Sequence, residues 1–282
     1  LKRILAPLAV IFAALLWSLD GLLRQELYHI SPFVIVALEH SIGALIFLPF
    51  LFKSIPKIKK LGQRGWISIF WVSICGGILG TYFYTKALSF VNYIDLSVVV
   101  LIQKLQPLFA ISLAGVILKE KLSKRFMFLA IIAMFGGYLV TFGNKPFGSW
   151  DDKSTIASLC ALLASFCWGS STVLGKHALK QLTFEVVTGM RLFITAIIAL
   201  IIIAYSGSFS DVLNLRPENY TTIIIIVFST GTIALSIYYY GLQNLAASHT
   251  TIYELAWPLS AVFIDRTLKG KTLSLVQIIG AL

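Results

Sequence analysis

The chain has 282 residues, 58% of them hydrophobic and only 12% charged, with a mean hydropathy of +0.88. That balance excludes an ordinary soluble globular domain and points to an all-α integral membrane protein. The net charge of +11 does not call for nucleic acid: Lys and Arg lie mostly in short connections between apolar runs, where lipid headgroups and topology account for them.

Counting apolar runs of roughly 20 residues places spans near 4–24, 31–52, 65–88, 94–118, 126–143, 155–179, 183–205, 220–245, 248–268 and from 272 onward. The last run is cut short at Leu282, so a C-terminal end is expected to be missing. The first run is long for a signal peptide and is followed by many similar segments, so it reads as a span. Lys2 and Arg3 precede it, Lys53, Lys57, Lys59, Lys60 and Arg64 follow the second span, and Lys119, Lys121, Lys124 and Arg125 follow the fourth. All three clusters fall on one side, which by the enrichment of cytoplasmic loops in Lys and Arg puts the N-terminus in the cytoplasm of a multi-pass cell-membrane (inner-membrane) protein. The second half obeys less well, since Lys176 and Lys180 fall inside while Arg266, Lys269 and Lys271 fall outside. The turn-rich 143–149 stretch reads as a linker and 206–219 as an exposed loop. Cys75, Cys160 and Cys167 sit inside apolar stretches without paired spacing, which indicates neither disulfides nor a zinc site.

Two apolar segments are interrupted. Gln103, Lys104, Gln106 and Pro107 stand near the middle of the fourth run, and Tyr253, Glu254, Trp257 and Pro258 in the ninth. A proline cannot donate to the carbonyl four residues back, so Pro107 is expected to free the carbonyl of Gln103 and Pro258 that of Glu254. The interruptions are copies: 258 − 107 = 151 and 254 − 103 = 151. The same offset of 151 relates Trp17 to Trp168, Phe33 to Phe184, His40 to Arg191, and Leu122-Ser123 to Leu273-Ser274. The chain therefore reads as a duplication, residues 1–143 and 155–282 joined by 144–154, with about five helices per copy. An odd number inserts the second copy upside down, and matching broken segments in such inverted repeats mark a transporter's binding site.

Polar stripes at helical spacing lie on single faces: Trp17, Asp20, Gly21 and Arg24; Trp168, Ser171, Thr172 and Gly175; Ser236, Tyr239, Tyr240 and Gln243; and Thr250, Tyr253, Glu254 and Trp257. Such faces on apolar spans point toward a cavity, with interhelical hydrogen bonding as the simpler reading. Glu39, His40, Lys104, Arg191 and Glu254 stand several turns inside their spans, and a carboxyl there costs a few kcal/mol unless paired or hydrated. Glu39 could neutralise Lys104, and Glu254 could do the same. His40 and Arg191 suggest a shared cross-repeat duty. Arg24, Lys86, Asp95 and Asp265 sit near span ends, where snorkelling suffices. No second His or Cys stands at ligand spacing to His40, so no metal is expected.

No metalloprotease, nucleophile-elbow, P-loop or dinucleotide-binding motif occurs, so neither an enzyme of those kinds, a cofactor nor an ATP-driven pump is indicated. The Trp-led repeats, the element Leu101-Ile102-Gln103-Lys104-Leu105-Gln106-Pro107 and the following Leu118-Lys119-Glu120-Lys121-Leu122-Ser123 together resemble the EamA branch of the drug/metabolite transporter superfamily. The resemblance covers the whole chain. It implies ten helices in two inverted five-helix repeats, a central cavity and alternating access, with small metabolites as substrates. The family's acidic residue after the fourth helix matches Glu120, a loop position expected to be structural, and Lys271 replaces it in the second copy.

The expected function is secondary transport of a small polar or amphipathic metabolite, amino-acid-like because the candidates combine cations, carboxyls and aromatics. The expected substrate-binding set is Trp17, Asp20, Glu39, Gln103, Lys104, Gln106, Trp168, Ser171, Arg191, Tyr239, Tyr240, Tyr253, Glu254 and Trp257. The partners are a small molecule, the bilayer, and protons as the candidate coupling ion through Glu254. Alternatives are an exporter of organic cations or amines and, from other classes, a membrane-embedded lipid-modifying enzyme or a channel.

Overall fold

A computed structural model describes residues 2–27, 29–88, 102–103, 105–142, 152–257, 259–260 and 274–281. The first two spans form as α1 (Lys2–Gln25) and α2 (Pro32–Lys59), and Pro32 sits in the first turn of α2, where its missing N–H costs no helical bond. The third is composite: α3 (Gln63–Trp71), a π-helical stretch (Val72–Leu79) and α4 (Gly80–Leu88). Then follow α5 (Gln106–Leu113) with a π-helical end (Ala114–Leu118), α6 (Lys124–Phe142), α7 (Asp152–Ala178) and α8 (Phe184–Tyr205). The 206–219 connection, expected to be a plain loop, contains the short α9 (Phe209–Leu213) and the start of α10 (Pro217–Phe228). The chain continues through α11 (Thr232–Asn244), α12 (Ala247–Tyr253) and α13 (Leu275–Ala281).

Among the described residues all regular structure is helical, and six stretches are long and apolar enough to cross a membrane: Ile4–Arg24, Pro32–Lys59, Gln63–Ala87, Thr155–Ala178, Phe184–Tyr205 and Pro217–Asn244. Exposed side chains such as Phe12, Phe52, Phe70, Leu159 and Ile201 line their outer faces, as contact with acyl chains requires. Most of the expected linker, much of the ninth span and the residues Lys104, Asp95, Pro258, Asp265, Arg266, Lys269 and Lys271 lie outside the described residues.

Packing follows the sequence offset. Helix α2 lies along α8, α1 packs on α11 while α7 packs on α4 and the π-helical stretch, α5 meets α12, and α6 meets α13. The larger apolar core joins these elements through Val10, Phe47, Ile69, Val187 and Leu242.

The irregular backbone has identifiable partners. In the π-helical stretch the carbonyl of Ser73 accepts from Thr195 Oγ1 at 3.0 Å and that of Gly76 from Arg191 Nη2 at 2.8 Å. A Cβ on Gly76 would stand 2.8 Å from Ser171 Oγ and 3.0 Å from Arg191 Nη2, so a glycine there is what lets α8 reach this backbone. Between α10 and α11 the helix breaks at 229–231, where Gly231 N–H donates to Ile226 O at 2.7 Å. Non-helical backbone within a span persists only where protein or a polar cavity receives it.

One end of the bundle is fastened at the turn between α11 and α12. Lys119 takes a left-handed conformation (φ 56°) after the π-helical end of α5 and turns Glu120 across to α12. The Glu120 carboxylate accepts from Ala247 N at 2.8 Å, Ser248 N at 3.1 Å and Ser248 Oγ at 2.5 Å, capping the N-terminus of α12. Lys176 Nζ donates to Leu242 O at 3.0 Å and Gln243 O at 2.8 Å, the last turn of α11. A carboxylate thus meets one helix's N–H end and an ammonium the other's carbonyl end. Glu120 lies away from the cavity described next.

Candidate functional site

The reciprocal packing leaves a central cavity of about 240 Å³ bordered by α1, α2, α4, α7, α8, α11 and both interrupted segments. Three indoles, Trp17, Trp168 and Trp257, line it, and Tyr84 and Tyr238 extend the aromatic wall. The Trp17 and Tyr238 rings are 5.1 Å apart and those of Tyr84 and Trp168 5.4 Å, both tilted.

Asp20, Arg24 and Glu39 form a connected ion network at the α1–α2 side. Arg24 donates through Nε to Asp20 Oδ2 at 2.5 Å and through Nη2 to Glu39 Oε2 at 2.8 Å. Thr230 Oγ1, from the break before α11, donates to the other Asp20 oxygen at 2.6 Å. Gly231 completes this fit, because a Cβ there would lie 2.5 Å from Glu39 Oε1. Arg24 sits one turn above Asp20, as the stripe foresaw, but it is a partner of two carboxylates rather than a snorkelling end residue. The Glu39–Lys104 pair envisaged from sequence involves a residue outside the described set; among the described residues Glu39 has Arg24 as its cation.

The opposite wall is chemically different. Glu254 accepts from Tyr238 Oη and Gln106 Nε2, each at 2.6 Å, and Tyr238 Oη also lies 2.8 Å from Thr172 Oγ1. Both of these hydrogen-bond partners are neutral. Arg191 donates to Tyr239 Oη at 3.0 Å and to the Gly76 carbonyl, so α8 of the second half is tied to the first. His40 also borders the cavity but turns its Nδ1 to Val36 O of its own helix at 3.0 Å, not across the halves.

Of the residues singled out from sequence, Trp17, Asp20, Glu39, Gln103, Gln106, Trp168, Ser171, Arg191, Tyr239, Glu254 and Trp257 line this cavity. Lys104 lies outside the described residues. Tyr240 and Tyr253 do not line it. Tyr240 packs edge-on to Phe184 at 5.5 Å, and Tyr253 lies against the main apolar core. The α11 face that meets the cavity runs through Gly231, Leu235, Tyr238 and Tyr239, which is one position back from the stripe read in the sequence. The signal that would have set that phase is Thr230-Gly231, polar and flexible in the middle of an apolar span.

Pro107 lies in the first turn of α5, just after the helical residues Ile102 and Gln103, so the fourth run is broken ahead of the proline. In the ninth run the helix ends at Tyr253, and the Glu254 carbonyl accepts from Trp257 N–H at 3.0 Å, so this carbonyl is not free. Pro258 lies outside the described residues.

The profile of the EamA-like transporter family matches the chain twice, over residues 4–142 and 155–282. The chain is 39% identical, over its whole length and 95% of the relative, to the riboflavin transporter ImpX of Fusobacterium nucleatum. It is 25% identical to Protein LicB of Haemophilus influenzae over 96% of this chain and 93% of the relative. A solved crystal structure with 18% identity shares the fold, with a TM-score of 0.72 across 98% of this chain and 92% of its own.

Proposed function

This multi-pass membrane protein belongs to the EamA-like transporter family, and from that premise we propose that it moves a flat, largely uncharged metabolite of the flavin class through the indole-lined cavity by alternating access. The observation that carries the reading is how the cavity disposes of its charges. An amino-acid-like substrate would need free ions to hold its ammonium and carboxylate. Asp20, Arg24 and Glu39 instead answer one another, and Arg191 is engaged by Tyr239 and Gly76. Among the described residues, what lines the centre besides Glu254 and Arg191 is largely aromatic surface with hydrogen-bonding groups at its margin, which suits a planar heterocycle. The 39% identity to a protein named as a riboflavin transporter supports the same class.

Alternating access rests on two inverted five-helix halves, residues 1–143 and 155–282 joined by 144–154, giving ten spans. The double profile match and the reciprocal packing of α1 on α11 and α7 on α4 support that architecture. The basic clusters within 53–64 and 119–125 support a cytoplasmic N-terminus. Glu254 is the proton-coupling group: its partners Tyr238 and Gln106 are neutral, so it can gain or lose a proton without breaking an ion pair.

The experiment is counterflow in proteoliposomes. Riboflavin trapped inside should drive saturable entry of labelled riboflavin, which excess amino acids leave unchanged. Entry that amino acids abolish and unlabelled riboflavin does not would overturn the flavin reading.

A further inference from the structure

Three residues that line this cavity each carry a buried polar atom with no hydrogen-bond partner among the described residues: Gln103 Oε1, Thr251 Oγ1 and Arg191 Nε. Gln103 and Thr251 are 4% and 0% exposed, so their position is not that of groups turned to bulk water. A buried polar atom left unpaired costs roughly 1–3 kcal/mol. Around these three, Asp20, Glu39, Glu254, Tyr238 and the two Arg191 terminal nitrogens are all bonded. The remaining unpaired buried side-chain atoms, on Ser41, Ser158 and Thr232, border other parts of the molecule.

The three differ in what they can bond. Arg191 Nε–H only donates, the Gln103 amide oxygen only accepts, and the Thr251 hydroxyl does either. A carboxylate would set its lone pairs against Gln103 Oε1, and an ammonium would set its charge against the Arg191 guanidinium. The set calls for a neutral group that carries both acceptor and donor.

Resting on the flavin reading above, we propose that Gln103, Thr251 and Arg191 are specificity-determining residues that recognise the imide edge of the ring, a carbonyl, N–H, carbonyl sequence. The ring N–H donates to Gln103 Oε1, and the flanking carbonyls accept from Arg191 Nε–H and the Thr251 hydroxyl. The indoles hold the ring's faces, and the polyol chain is secondary.

Binding of three flavins to the purified full chain in nanodiscs, followed by quenching of flavin fluorescence, tests this. Lumiflavin keeps the imide and lacks the polyol; it should bind within about tenfold of riboflavin. N3-methylriboflavin keeps the polyol but loses the N–H, and should bind about 30-fold more weakly, as expected when a buried acceptor loses its donor. Gln103→Leu should weaken riboflavin by a similar factor while leaving the N3-methyl compound little changed, closing the gap between them. Equal binding of riboflavin and N3-methylriboflavin by the unmodified protein overturns the inference, whether or not Gln103→Leu folds. A gap that survives unchanged in Gln103→Leu assigns the N–H to another group and overturns the inference, and lumiflavin failing while the N3-methyl compound binds assigns recognition to the polyol and also overturns it. Absence of riboflavin binding to the unmodified protein defeats the flavin reading, and this inference with it.

Discussion

Glu39 and Glu254 are both carboxyls facing one cavity, yet they are held in opposite ways. Glu39 meets a guanidinium that also binds Asp20, whereas Glu254 meets a phenol and an amide. Removing a cation from buried anions leaves charge uncompensated, while changing a carboxyl among neutral donors leaves a hydrogen-bonded network largely intact. The first arrangement fixes structure and the second permits a change of protonation state. One cavity therefore holds two carboxyls, one from each half of the chain, in different settings on opposite walls.

The comparison is most exposed to Arg24→Leu. That change leaves Asp20 and Glu39 facing each other without their cation and should cost on the order of 3 kcal/mol, read as a fall in unfolding temperature in detergent. A protein as stable as the parent would show that the network is ornamental. Glu120→Ala, which strips the cap from α12, should cost about 1–2 kcal/mol by the same measurement. Glu254→Gln should stay within about 1 kcal/mol of the parent in stability. It should still exchange substrate between the two sides but lose its response to an imposed pH gradient. Full pH coupling in a stable Glu254→Gln protein would remove the contrast between the two carboxyls. Smallest of all, Tyr240→Phe should leave stability unchanged within about 0.5 kcal/mol and transport unaltered, whereas Tyr238→Phe should impair transport through its loss of the Glu254 bond.

Much of this arrangement can be read from residue order, because composition, apolar run length and a constant offset of 151 are properties of the chain itself. Trp17 and Asp20, or Trp168 and Ser171, share a face by helical geometry alone. The misreadings have a common origin in relations between helices. Arg24 lies in the last turn of α1, where sequence offers no reason to look beyond snorkelling; its role comes from Glu39 on the next helix. In the run Tyr238-Tyr239-Tyr240 periodicity alone allows more than one rotation. The break at 229–231 and the packing of Tyr240 on Phe184 choose it. The partners of Glu254 come from α11 and α5, which no spacing within its own segment could announce.

The fastening of the α11–α12 turn has a consequence for how this protein can change over time. Glu120 and Lys176 grip mainly main-chain atoms, the N–H groups of Ala247 and Ser248 and the carbonyls of Leu242 and Gln243. Every residue except proline carries that N–H, and every residue carries that carbonyl. The grip is therefore indifferent to side-chain identity at Leu242, Gln243 and Ala247, proline at the last excepted, and its genetic cost is concentrated in two codons far from the turn they secure.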